Sequence, residues 1–158
     1  MSLNKNKRML QLKFIASIFN MSLQEIRDTL GFETLTMIFR RVGEKAAENI
    51  VKRLTGKFTS IEEFCSLLVD DVFAPVIGED MASYAIDNDK ITFTLKACPY
   101  KKAGGYPIQD MSFFCHYTEG LIDHAVKTAF PSKSFFTEPV HLISQAGCEE
   151  CVFDISLG

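Results

Sequence analysis

Ile91, Phe93 and Leu95 alternate with Thr92, Thr94 and Lys96, the period of two expected of a strand with one buried face. On either side of this stretch the apolar residues recur every three or four positions, as they do on helices. A chain with that order has to lay helices against an antiparallel sheet. The expected class is α+β, with N-terminal helices packed on a sheet of hairpins and one long helix between the hairpins.

Residues 4–19 carry Met9, Leu10, Leu12, Phe14, Ile15, Ile18 and Phe19 at helical spacing. Lys5, Lys7, Arg8 and Lys13 read as a solvated face, countered by Glu25, Asp28 and Glu33. Ser22 has the chemistry of an N-cap and Glu25 closes a capping box, so a separate short helix is expected over 23–30, ended by Gly31. A longer helix over 33–54 has the stripe Leu35, Ile38, Phe39, Val42, Ala46, Ile50, Val51 and Leu54. Gly43 inside it costs about 1 kcal/mol relative to Ala, which points to a close helix contact there. Thr59 or Ser60 caps the next helix, which carries Phe64, Leu67, Leu68 and Val72 and is broken by Pro75. Cys65 reads as a small buried thiol in that helix.

A hairpin comes next, with strands 82–86 and 90–98 around Asp87-Asn88-Asp89. Residues 101–110 form a loop suited to cover a cavity mouth. Asp110 caps a helix over 111–130, and strands 134–144 and 151–157 close the chain around a turn containing Gly147. The expected organisation is one domain, 1–158, with a helical half (1–78) and a hairpin–helix–hairpin half that binds metal (79–158).

Composition narrows the partners. Hydrophobic residues make up 47% of the 158, with 14 Phe and no Trp, so the interior should be rich in phenylalanine and able to enclose an apolar cavity. The net charge of −3 supplies no basic field for nucleic acid or anionic lipid. No run of 18 apolar residues and no signal-peptide core is present, so a cytoplasmic location without a membrane span is expected. Five cysteines are an odd number, and in such a compartment they favour metal ligation over disulfides.

Three of those cysteines and all three histidines fall between Cys115 and Cys151. Cys148 and Cys151 are spaced to chelate one ion from a tight turn. His141 lies on the preceding strand and Cys115 on the neighbouring helix, completing a Cys₃His set, with Glu138 as a competing oxygen ligand. Such a site would be structural, because no open-site pattern such as His-Glu-x-x-His occurs.

Cys115-x-Tyr117-x-x-Gly120-Leu121-Ile122, then Glu138, then Gly147-x-x-x-Cys151-x-Phe153-x-Ile155, resembles the 4-vinyl reductase family of predicted hydrocarbon-binding domains, and Gly43-Glu44 on the long helix fits too. That family is related to the sensor domains of phenol-responsive transcription activators and to small TRAPP subunits. The resemblance implies the fold described as the ligand-binding domain of NO signalling and Golgi transport. It also implies zinc, held by Cys115, Glu138, a middle position falling on His141, and Cys151. His141 and Cys151 are ten positions apart, about two more than the family's turn. If the extra residues precede the strand, Ile143 takes the middle position and Cys148 becomes the substitute ligand. Glu138, His141 and Cys148 thus compete for two places, and Cys98 is a further ligand or a pocket thiol. The family's pocket would here be lined by Phe93, Phe113, Phe114, Tyr117 and Phe136.

The leading expectation is a sensor-like module for a small hydrophobic or aromatic molecule. An enzyme or accessory subunit of tetrapyrrole vinyl reduction is the alternative implied by the family name, although no dinucleotide fingerprint, P-loop or nucleophile elbow occurs and no catalytic residue is assigned. His116 and His124 are offset from the inward stripe of their helix and should be exposed. A third expectation is a homodimer or scaffold assembled through the first helices, whose apolar residues exceed what one small domain can cover.

Overall fold

The computed structural model describes residues 2–98, 112–143 and 148–158. The chain forms two compact units, Met1–Leu35 and Thr36–Gly158. Positions on both sides of residue 78 belong to the second. The loop expected over 101–110, the Asp110 cap and the Gly147 turn lie outside the described residues.

The first unit is built on α1 (Ser2–Leu30). The break expected before Leu23 does not occur, and the helix runs through Ser22. An N-cap needs a non-helical backbone, and nothing in Asn20-Met21-Ser22 stops the helix as Gly or Pro would. Gly31 does end it, at φ +85, with its amide on the Arg27 carbonyl at 2.8 Å.

Helix α2 (Phe32–Leu54) starts in the first unit and continues into the second. Helix α3 (Ile61–Leu68) begins where Ser60 Oγ accepts the Glu63 amide at 3.2 Å. Pro75 does not break the helical path after α3. Residues Val69–Phe73 form a π turn, in which the Ala74 amide reaches back to the Val69 carbonyl, and α4 (Ala74–Ile77) takes Pro75 into its first turn. Widening the turn accommodates a residue that has no amide hydrogen to donate.

Strands β1 (Ala82–Asp87) and β2 (Lys90–Leu95), helix α5 (Ser112–Ala129), and strands β3 (Phe135–His141) and β4 (Cys151–Leu157) complete the chain. The sheet is antiparallel in the order β1-β2-β4-β3, so the predicted α+β class is the observed one. Ile91, Phe93 and Leu95 face the core opposite Ile155, Phe153 and Cys151. Pro139 lies on the edge strand, beside a register shift before His141.

The contact expected at Gly43 is present. A Cβ there would overlap the Tyr117 carbonyl oxygen and lie 2.9 Å from the Leu121 amide nitrogen, and a Cβ on Gly120 would overlap the Arg40 carbonyl. The backbones of α2 and α5 therefore meet through two glycines. Arg40 bridges the same crossing, pairing with the buried carboxylates of Glu119 and, at 3.1 Å, Asp123. Next to it, the Phe39 ring packs edge-on against Phe114 at 4.6 Å.

Gly43→Ala and Gly120→Ala should each lower stability by about 3 kcal/mol or more, the upper range of overpacking costs. Gly56→Ala meets only the strain of φ +83 in open space and should cost about 1 kcal/mol. Urea unfolding of the three variants checks this order.

Candidate functional site

A cavity of about 290 Å³ lies within the second unit. Its walls come from four places. The π turn and α4 supply Val72, Phe73, Val76 and Ile77, and the end of β2 supplies Leu95, Ala97 and Cys98. Helix α5 supplies Phe114, Cys115, Tyr117, Thr118 and Leu121, and β4 supplies Cys151. Among the described residues the lining has no carboxylate, ammonium or guanidinium group. The polar side chains among these residues are those of Cys98, Cys115, Cys151, Tyr117 and Thr118.

Three of the five cysteines therefore meet at one chamber, and none of the five is in a disulfide. Cys151 stands at the start of β4 with its side chain inward. Its sulfur accepts the Ile143 amide at 3.2 Å and is hydrogen-bonded to the Cys115 side chain. That bond to Cys115, and then burial, hold the Cys151 thiol well above its ordinary range. Burial also raises the Tyr117 phenol. Burial is the cause the two shifts share, and it disfavours the charged form of each group.

The other implied metal ligands lie elsewhere. Glu138 pairs with Asp154 across the sheet and is exposed on the face opposite Cys151. On that outer face burial raises the Asp154 carboxyl, but its bonds to Lys90 at 2.5 Å and Thr92 at 2.7 Å hold it below the usual range. His141 is exposed and borders a separate open cleft of about 440 Å³ with Cys148, Glu149 and Glu150. As placed, the five residues do not make one coordination sphere. No group of three or more metal-ligating side chains among the described residues is placed to hold an ion. The implied zinc set does not fit this arrangement, because a sheet puts Glu138 and Cys151 on opposite faces.

Of the five expected pocket residues, Phe114 and Tyr117 line the chamber. Phe93 and Phe113 are fully buried in the core instead. Phe136 is 65% exposed, because its register opposite Ser156 turns it to the outer face. His116 and His124 are half-buried rather than exposed. His116 Nδ1 lies 2.5 Å from Glu119, and His124 lies 3.8 Å from Glu48. Sequence reasoning missed the wall from Val72 to Ile77. Its signal is the pair of i, i+4 apolar steps Val72–Val76 and Phe73–Ile77, which the expected break at Pro75 concealed.

No protein-family model and no curated protein matches the chain, and the likeness to 4-vinyl reductases stays a resemblance. Solved structures do match. A trafficking protein particle complex subunit 3 from Naegleria fowleri, covalently bound to palmitic acid, aligns with 98% of this chain and 96% of its own at TM-score 0.59 and 11% identity. An H-NOX protein from S. oneidensis in the Fe(II)NO ligation state aligns with 85% of this chain and 71% of its own at TM-score 0.56 and 13% identity. The phenol-responsive sensory domain of the transcription activator PoxR, with phenol, aligns with 89% and 73% at TM-score 0.61 and 12% identity. At these identities the likeness is one of fold. No helix among the described residues is long and apolar enough to cross a membrane.

Burial pushes the Cys65 thiol, on the inner face of α3, up to about 12 from an ordinary 9.0. The folded chain then holds this proton more tightly than the unfolded chain. The stability it contributes is complete below pH 9 and is lost as pH rises from 9 towards 12. Urea unfolding between about pH 8 and 11 should show that decline, and Cys65→Val should flatten it.

Proposed function

We propose that residues 36–158 form a binding domain for a small, neutral, hydrophobic molecule. The observation that supports this reading is the chamber between α4, α5 and the ends of β2 and β4, whose described lining residues carry no charged side chain. Its volume is at the lower end of the range for ligand pockets. A single aromatic ring buries about 150–250 Å², which at about 25 cal/mol per Å² corresponds to roughly 4–6 kcal/mol before association costs. The thiols add soft, polarisable contacts to a ring edge. The hydroxyls of Tyr117 and Thr118 can orient one polar atom of the guest.

The fold relatives lend this reading support, since one carries phenol, one palmitic acid and one an Fe(II)NO group. The chamber suits the first kind of guest better than a free sixteen-carbon acid, whose carboxylate would find no cation among the described lining residues. No part of the reading uses the implied zinc, because its five candidate ligands are divided between the chamber, a separate cleft and the outer face of the sheet.

A second reading accompanies it, self-association through the first helix. Leu10, Phe14 and Ile18 of α1 are 68%, 68% and 47% exposed, an unusual display for a chain that stays single.

Isothermal titration with naphthalene and with naphthoate, matched in size, tests the ligand class. Naphthalene should bind at least tenfold more tightly, and Phe114→Ala should weaken it by about tenfold. Failure of both compounds to bind would overturn the binding reading. Unchanged affinity in Phe114→Ala would remove the guest from this chamber.

A further inference from the structure

The apolar residues of α1 form two stripes, not one. Leu12, Ile15, Phe19, Leu23, Ile26 and Leu30 succeed one another at steps of three and four; on this stripe Leu23 is buried and Ile26 half-buried, and the other four are exposed. The other stripe reads Lys7, Leu10, Phe14, Ile18, Met21, Glu25 and Asp28, again at steps of three and four, and every one of its residues is exposed. It is the spacing of a coiled-coil seam, with a cation at one end, four large apolar side chains in the middle and two carboxylates at the other.

We propose that this seam pairs with the same seam of a second copy of the chain, antiparallel, about a two-fold axis between Ser17 and Ile18. The inference rests on the self-association reading and adds its geometry. Positions 7 and 28, 10 and 25, and 14 and 21 are each equidistant from that axis. An isologous contact, in which residue i of one copy meets residue j of the other and the reverse, therefore sets Lys7 against Asp28, Leu10 against Glu25 and Phe14 against Met21. The helix spans about 43 Å at 1.5 Å per residue, long enough for two copies to overlap along the whole seam. A parallel pairing would instead stack Lys7 on Lys7 and Asp28 on Asp28. The charge pattern selects the orientation and the apolar centre supplies the attraction.

Sedimentation velocity of the full chain should show a dimer, and Ile18→Glu should raise its dissociation constant at least 100-fold with unchanged far-UV circular dichroism. Under mild oxidation Ile18→Cys, beside the axis, should cross-link to itself, whereas Leu10→Cys should do so only when mixed with Glu25→Cys. A monomer at about 50 µM protein would overturn both the geometry and the self-association reading. A dimer that tolerates Ile18→Glu, or in which Leu10→Cys cross-links to itself, would overturn the geometry and leave self-association standing.

Discussion

The second unit depends on a backbone contact. Gly43 and Gly120 let α2 and α5 approach until the main chain of one touches the main chain of the other. Two helices this close have little freedom to slide, because their main chains are in contact at the crossing. Arg40 fixes the azimuth by holding Glu119 and Asp123, one turn apart on α5. With α5 held in rotation, Phe114, Cys115, Thr118 and Leu121 face the end of the sheet, and that gap is the chamber.

The chemistry of the chamber is set by which elements end there. Cys98 comes after β2, Cys115 lies in the first turns of α5 and Cys151 opens β4. Strand ends and a helix start carry three thiols to one place although they are far apart in sequence. There the hydrogen bond to Cys115, together with burial, raises the Cys151 thiol.

Much of this was legible in the sequence. Alternation at Ile91–Lys96 and the three-to-four spacing elsewhere identify the α+β class, and Gly43 announces the helix crossing. The pairing of Cys115 with Cys151 is also readable, since both fall on inward positions of their elements. Glu138 shows where such reading stops. One-dimensional spacing places it near the other ligands, but alternation along β3 turns it away from them. Phe136 is turned outward for the same reason. Ser22 and Pro75 are local signals overridden by their surroundings, one by continuous helical propensity and the other by a π turn.

The π turn at Val69–Phe73 inserts one residue more than an α-helical path requires, so the faces before and after it are out of phase by about 100°. Phe64 and Leu68 are directed to the core by the phase upstream, and Val72 to Ile77 line the chamber through the phase downstream. A descendant that lost a single residue here could restore a regular helix and rotate one wall away, leaving the sheet and the glycine crossing untouched. The shape of the chamber is thus open to change by length variation as well as by side-chain replacement, without disturbing the foundation of the unit.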